Sequence, residues 1–467
     1  MVIVKTHGRV ISYWKNNYMK NILFYRFNLY PLFSNLSYFL FCLPYISPII
    51  IFPTDTQPWV IIIPFLTFLI KPNISKELFS IIIICLIYFS YYIFTLDKIF
   101  TFETVRFASN IFSICLTIYI GLSRSSLSNY KILKLVGWII IITSILNFLF
   151  PSHFLSITKY FVATQSGGQI RGIKGLAPEP SFWAWNCIGL ALLTLVNEYN
   201  LKRTNYHLSQ PKVLPISENV LRVLLLILSA LLSKAGVLIL MTPVILSILI
   251  IVFGNIAFSF SNALLNLKIK FNLLILGLLT ILGSFSGGYF IYNLGGRSLK
   301  YLEFFSWSNF KSVQGIINTD NSVDARLGGI LLGIQSFFQE NIIFGNGSNT
   351  CRYVKNMVFE IFDGELSFDR AGHSSIGCGL YEHGIVFIVF LGTLLFLIVN
   401  NYMHIKKYTT SGIFFNILTS YFFIISITTN NPIGYSISWL IMVTQFMPKK
   451  SLIKNIRNLN TSQVIFK

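Results

Sequence analysis

His373 is the residue of this chain best suited to take up a proton near neutral pH, because imidazole titrates in that range. It ends a long polar segment and could act as a general base. Glu382 and His383 follow within an apolar run, where ionisable groups are costly unless they are used or paired. Helical periodicity puts Glu382 about 180° from His373, so we expect it to support another span or line a cavity. A cluster that only reaches the membrane interface is the alternative.

Two arginines upstream could bind phosphate. Arg326 opens the stretch Arg326–Asn341, whose apolar spacing predicts a helix, and Gly345, Gly347 and Arg352 follow it. Guanidinium groups bind phosphate through two parallel hydrogen bonds, and glycines let backbone amides approach a ligand. The alternative is a loop with solvated charges, which is the usual state of external arginines.

A third candidate lies in the segment 171–181, where two prolines flank Glu179 and a helix is predicted to open at Ser181. This stiff turn presents one carboxylate at the end of a span, with Arg171 and Lys174 nearby. Such an arrangement is typical of a functional site. The alternative is that Glu179 only complements the positive end of the helix.

Two further positions are candidates for ligand binding, one for phosphate and one for a metal. Lys234 follows Ser233 at a tight turn between apolar runs, where it could meet a phosphate or mark the interface. The acidic run Asp363–Asp369 departs from the calcium-loop pattern, because Phe368 stands where glycine is required. No His/Cys group has zinc spacing. We therefore expect neither a metal nor a cofactor.

Apolar helices must position these residues. The 467-residue chain has a mean hydropathy of +0.67 and only 11% charged residues, whereas soluble domains average about 25%. Runs long enough to cross a bilayer recur, and the short alternating segments of a β-barrel are absent. The sequence predicts an all-α, polytopic membrane protein with twelve spans: 35–53, 58–70, 78–96, 105–122, 135–150, 181–197, 220–233, 235–253, 272–292, 377–399, 413–428 and 433–447.

Charge sorting predicts the orientation. With a cytoplasmic N-terminus, the inner segments hold 23 of the 36 Lys/Arg residues and three of the 16 acids. The net charge of +20 then lies on one side, as the positive-inside rule expects, so it does not indicate nucleic-acid binding. The organisation that follows has both termini cytoplasmic and a large external segment: 1–34 basic and aromatic N-terminal segment, 35–292 nine spans with an outer loop at 151–180, 293–376 large outer loop, 377–447 three spans, 448–467 basic tail.

Six cysteines occur, and two of them fall in or next to the large outer loop. These two, Cys351 and Cys378, could form a bridge, although two cysteines do not define a disulfide framework. Whether they are bonded stays open at this point. The other four lie within predicted spans, where we expect them to pack as small apolar residues.

Taken in order, the motifs resemble those of the bacterial O-antigen polymerase and ligase superfamily over roughly residues 165–390. The likeness rests on the following elements of this chain: Arg171 with Glu179-Pro180-Ser181, the run 228–234 ending in Ser233-Lys234, Arg326 with Gly345-Asn346-Gly347, and His373 with Glu382-His383-Gly384. Two positions depart from the family pattern. Lys234 stands in place of arginine, and Ser374 stands where asparagine is common.

The resemblance implies glycosyl transfer on the periplasmic face of the bacterial inner membrane, from a polyprenyl-pyrophosphate-linked oligosaccharide repeat. It implies His373 or Glu179 as the base for the acceptor hydroxyl. Arg171, Arg326 and Arg352, together with Lys174 and Lys234, would bind the departing pyrophosphate, and Gly345, Gly347, Glu382 and His383 would support the site. It also implies membrane lipid and a chain-length regulator protein as partners.

Three functions remain open at this stage. The Pro-Glu-Pro-Ser element favours a polymerase of O-antigen or capsular repeats, because the ligase pattern usually lacks it. A ligase that moves the glycan to a lipid acceptor is the near alternative. A polysaccharide or glycolipid transporter is the alternative of another class, which predicts discontinuous helices and ionisable residues deep within spans.

Overall fold

A computed structural model of the protein describes a mainly helical chain over residues 29–47, 58–96, 102–162, 172–205, 216–233, 235, 237–263, 314, 321–339, 342–361, 364–370, 374–403, 410–429 and 435–446. Its helices are α1 (29–42), α2 (Trp59–Ile70), α3 (Lys76–Phe94), α4 (Phe102–Ser123), α5 (Ser126–Leu149), α6 (Pro151–Thr158), α7 (Pro180–Asn205), α8 (Ile216–Leu232), α9 (Val237–Ala263), α10 (Asn321–Gln339), α11 (Ser375–Met403), α12 (Thr410–Thr429) and α13 (Ser436–Phe446).

Among the described residues, four helical stretches are long and apolar enough to cross a membrane: Lys76–Phe94, Thr104–Ser123, Ser126–Leu149 and Ser375–Asn400. The prediction of a helical membrane protein is confirmed at this level. The predicted span 272–292 lies outside the described residues. The helix predicted at Arg326–Asn341 is confirmed with different bounds, as α10.

Polar caps start two of these helices where the sequence leaves the apolar pattern. Ser75 accepts a hydrogen bond from the amide of Leu78 at 3.2 Å and begins α3. Ser125 accepts one from Ser128 at 3.2 Å and begins α5. Each cap satisfies an amide that the first turn would otherwise leave without a partner, so these apolar runs have defined starting points.

Helix α7 is the centre of the bundle, and its side chains are buried without interruption from Phe182 to Glu198. Helix α13 packs along it in the same direction. Near the start of both helices, Tyr435 donates to Asn186 at 3.3 Å, and near their ends Asn200 donates to the carbonyl of Thr444 at 2.7 Å. These two contacts fix α7 and α13 as parallel neighbours.

Two more contacts orient α3 and α4 against this pair. Gly121, near the end of α4, faces Val443 near the end of α13, so these two helices are also parallel. Tyr92, near the end of α3, stacks at 3.6 Å on Phe107, near the start of α4. The starts of α4, α7 and α13 and the end of α3 therefore lie together, at what we term the site end of the bundle.

Among the residues that the structure describes, the strands lie within 351–370. A 3-10 turn at Cys351–Tyr353 leads into β1 (Lys355–Ile361), which pairs antiparallel with β2 (Gly364–Arg370). The hairpin buries Met357, Phe359, Leu366 and Phe368 against Leu332 of α10. The all-α prediction is wrong for this segment, because alternating apolar residues can bury one face of a hairpin.

Candidate functional site

The first candidate element, residues 172–179, lies against the end of α8. The amide of Ile173 donates to the carbonyl of Leu232 at 3.3 Å. Gly172 packs so closely that an added Cβ would overlap the carbonyl of Ser233. Two motifs that are separated by about sixty residues in the sequence are thus joined, main chain to main chain.

Asn147, near the end of α5, holds the same element from another side. Its side-chain oxygen accepts hydrogen bonds from the amides of Lys174 and Gly175, each at 3.0 Å. Gly175 has a φ of 49° and lies on the indole of Trp183, where an added Cβ would overlap the ring. The turn before α7 is therefore fixed by packing and by its own backbone amides.

Glu179 stands half-buried at the start of α7, as the prolines predict. Its carbonyl accepts from the amide of Trp183 at 3.2 Å, which is the first bond of the helix. Its carboxylate accepts from the hydroxyl of Ser181 at 3.3 Å. Lys174 is on the same turn, and partial burial lowers the pKa of its ammonium group. A carboxylate and a partly desolvated cation thus occupy one rigid turn at the site end.

The second candidate element is a break in α11. At Gly384 the backbone takes φ 54° and ψ −132°, which interrupts the helical hydrogen bonds. Two carbonyls before the break are satisfied from outside the helix. Tyr381 accepts from the amide of Asn346 at 2.9 Å, and Glu382 accepts from the amide of Gly347 at 3.0 Å. Residues 342–347, which we term the docking turn, thus replace the missing bonds.

The docking turn also serves the far side of the break, where Ile385 donates its amide to the carbonyl of Ile342 at 2.8 Å. Gly345 lies in between with a φ of 71°, and an added Cβ would overlap the main chain of Glu382 and His383. Side-chain-bearing residues rarely adopt this φ, and none would fit in this space. Glycine is required here for backbone contact between two distant segments.

His383 is fully buried beside the break and has partners at both ring nitrogens. Nδ1 lies 2.8 Å from the hydroxyl of Tyr88 in α3, and Nε2 lies 2.9 Å from the hydroxyl of Ser348. The same Ser348 hydroxyl lies 2.6 Å from that of Thr95, just after α3. The end of α3, the residue that follows the docking turn and the break are therefore joined by one hydrogen-bonded network at the site end.

Two contacts hold the 3-10 turn to the first part of α11, residues 375–383, which we term the arm. Cys351 is disulfide-bonded to Cys378, with 5.4 Å between their Cα atoms. The amide of Cys351 also donates to the carboxylate of Glu382 at 3.1 Å. The bridge that the sequence left open is present in the structure. Glu382 therefore binds the outer segment at Cys351, and the expectation that it supports another span or lines a cavity stays a prediction.

Helix α10 crosses the arm at glycines. Gly333 faces the carbonyl of Gly377, and Gly377 faces the carbonyl of Gly329. Neither Gly333 nor Gly377 has room for a Cβ. The spacing Gly329-x-x-x-Gly333 is the small-residue pattern that permits close helix contact. The sequence contains this spacing, and it also contains the alternation of apolar residues at 357, 359, 366 and 368 that is typical of strands.

The described residues bring together only some of the predicted site. Arg171, Lys234 and His373 lie outside them, as does the side chain of Arg352, while Arg326 is half-buried in α10. Gly345 and Gly347 were expected to bring backbone amides close to a ligand, and in the structure the amide of Gly347 donates to the carbonyl of Glu382 in α11. Gly345, Gly347, Glu382 and His383 meet at the break in α11, and their support of an active site stays a prediction.

Comparison with known proteins gives no family for this chain: no protein-family model matches it, and no curated protein matches it significantly.

Proposed function

We propose that this protein is a glycosyltransferase that polymerises polyprenyl-pyrophosphate-linked oligosaccharide repeats at the site end of its bundle. One observation carries the proposal. The segment 172–179 and the docking turn, which hold separate motifs of the resemblance, are both anchored by backbone hydrogen bonds at the same end of the bundle. A site assembled from distant segments needs this kind of fixed placement, because catalytic groups act only when held in register.

The proposed topology follows the charge distribution. Twelve spans with both termini in the cytoplasm put the site end on the periplasmic face of the inner membrane. No nucleotide sugar is available there, so the donor is a glycan already activated on a lipid carrier. Membrane lipid and a chain-length regulator protein are the proposed partners.

The proposed chemistry is a single inverting displacement that requires no metal or cofactor. The acceptor hydroxyl oxygen forms a bond to the anomeric carbon while the bond from that carbon to the pyrophosphate oxygen breaks. The hydroxyl proton passes to His373 or Glu179, and cations stabilise the charge on the departing pyrophosphate. Lys174 is the described cation on the turn of Glu179. Arg171, Lys234, Arg326 and Arg352 complete the proposed pyrophosphate site.

The decisive experiment supplies purified protein in liposomes with a lipid-linked repeat and separates the products by size. We expect polymer from the parent, and a loss of about 10²- to 10⁴-fold in rate from His373→Ala or Glu179→Gln, whichever removes the base. His153→Ala and Glu365→Gln are matched controls, since both side chains are exposed. Full polymer from both base variants would refute the assignment, and no polymer from the parent would refute the polymerase.

Ligase activity is separated from polymerase activity by a deletion strain. Loss of a polymerase leaves single repeats capped on the lipid anchor. Loss of a ligase leaves intact polymer that never reaches its acceptor. We expect the first outcome, because of the Pro178-Glu179-Pro180-Ser181 element.

One observation favours a transporter instead, namely the broken helix α11 with His383 buried beside the break. The position of the break opposes it. Residues 385–403 extend about 28 Å at 1.5 Å per residue, close to the thickness of the hydrocarbon core, so the break falls near the membrane boundary rather than at the midplane. Uptake of labelled lipid-linked repeat into proteoliposomes, without polymer, would support the transporter and refute our proposal.

A further inference from the structure

Helix α10 and the docking turn share an apolar surface that no described residue covers. Ile334 and Phe338 lie one turn apart on α10, exposed by 44% and 75%. Ile342, Ile343 and Phe344 follow, exposed by 45%, 56% and 65%. An aqueous loop rarely keeps five large apolar side chains together at its surface.

The direction of α10 is fixed by its contacts with α11. Gly333 meets Gly377 in the arm, and nine residues later Ile342 meets Ile385, eight residues further along α11. Helix α10 therefore runs parallel to the arm and brings the docking turn to the level of the break.

That level coincides with the start of the lipid-facing surface of α11. Ile385, Ile388 and Val389 are all exposed and apolar, as lipid-facing side chains of a span are. On the other side, the carbonyl of Phe344 accepts a hydrogen bond from the hydroxyl of Tyr91 in the last turn of α3, a second candidate span. The exposed tip, Ile342–Phe344, is thus continuous with the lipid-facing surfaces of two spans.

Four polar backbone groups of the docking turn meet the condition that lipid imposes. Non-helical backbone enters a membrane only when its polar groups are satisfied by protein. Here the carbonyls of Ile342 and Phe344 and the amides of Asn346 and Gly347 all have partners in α11 or α3. The apolar part of α10, Arg326–Phe338, is about 20 Å long and too short to cross.

We propose that Phe338 and Ile342–Phe344 form an element whose apolar side chains are inserted among the acyl chains of the leaflet at the site end. The chain descends with α10, reverses in the docking turn and returns to Cys351, which is bonded to Cys378 of the arm. Bilayer lipid is the occupant of the apolar surface. The proposal does not depend on the glycosyltransferase activity.

Spin-label depth measurements on the full protein in lipid vesicles test the proposal. A nitroxide on Ile343→Cys or Phe338→Cys is compared with one on Phe396→Cys, an exposed residue within α11, and one on Tyr353→Cys, exposed by 74% beside the hairpin. The parent, labelled in parallel, gives the background from its four free cysteines. Oxygen concentrates in the bilayer, and a nickel chelate stays in water.

Labels at 343 and 338 should relax severalfold more with oxygen than with nickel, like the label at 396, while the label at 353 shows the reverse. Two sites guard against a substitution that disturbs the turn. Nickel accessibility at 343 and 338 equal to that at 353 would place the element in water and overturn the proposal. Protection from both agents would mean that a second copy or another protein covers the surface, and would overturn it equally.

Discussion

Substitution of Gly345 by alanine should release the docking turn from α11. The new Cβ would overlap the main chain of Glu382 and His383, which cannot swing away as a side chain can. In addition, the φ of 71° disfavours any residue with a Cβ. Two separate penalties therefore act at one position.

Two other glycines separate these penalties. At Gly347 the φ is 93°, but the nearest atom to an added Cβ, the carbonyl oxygen of Thr95, is 3.4 Å away, so only the backbone penalty applies. At Gly392 in α11 neither applies, because nothing lies within 4 Å. We expect a cost of about 1–2 kcal/mol for Gly347→Ala from its left-handed backbone. Gly345→Ala adds about 1–3 kcal/mol of overpacking, for a total of about 2–5 kcal/mol.

Hydrogen exchange of the peptide that covers residues 342–350, measured by mass spectrometry, reports the opening of the turn. Because about 1.4 kcal/mol is a factor of ten, Gly345→Ala should accelerate exchange by about 30- to 3,000-fold, Gly347→Ala by about 5- to 30-fold, and Gly392→Ala by less than about twofold. Equal rates for Gly345→Ala and Gly347→Ala would show that the backbone contact at Gly345 is absent. An unchanged rate in both would refute the docking of the turn on the break.

Three further predictions concern the groups around these elements. Cys351→Ser should lower the free energy of unfolding by about 3.5 kcal/mol, since the bridge closes a 27-residue separation. In the parent, two extra thiols should be alkylated only after reduction. Their alkylation without reductant would contradict the bridge to Cys378. His383→Ala should cost about 2–4 kcal/mol in thermal melts, because it leaves a cavity and a buried Tyr88 hydroxyl without its partner, whereas parent-like melting would contradict the network. Burial lowers the pKa of Lys174, so below that pKa the buried charge opposes folding, and this cost is relieved as pH rises towards 10.5. The free energy of unfolding should therefore rise with pH in that window, and Lys174→Met should abolish the rise. The same slope in the variant would assign the rise to another group.

Local patterns accounted for the parts of the fold that depend on neighbours in sequence. Apolar runs predicted the helices, and the prolines around Glu179 predicted the start of α7 at Pro180 within one residue. The sequence analysis did not predict the hairpin, although apolar residues alternate across 355–369. The apolar composition predicted helices throughout the chain, and this outweighed the local strand pattern. Composition is an average over the whole chain, so it does not reveal a short hairpin.

The partners of the candidate residues depend on distant contacts that no local pattern contains. His383 was recognised as a costly buried group, but its partner Tyr88 lies 295 residues away in the sequence. Gly345 and Gly347 were recognised as a turn, yet the carbonyls that they meet belong to α11. Residue type alone suggested what chemistry these positions could perform. Their hydrogen-bond partners could be identified only from the folded structure.

The contacts of the arm bear on which of the open functions fits best. The arm packs on α10 at the glycine crossing, is hydrogen-bonded to the docking turn and is disulfide-bonded to Cys351, so these parts form one closely connected body. An alternating-access movement would have to separate this body from α3. That interface includes the bond from Tyr91 to Phe344 and the buried contacts of Ser348 and His383. The buried side chains of Ser348 and His383 would each lose a partner on separation, at about 1–3 kcal/mol apiece. A fixed scaffold for chemistry at the site end requires no such separation, and this difference favours the glycosyltransferase.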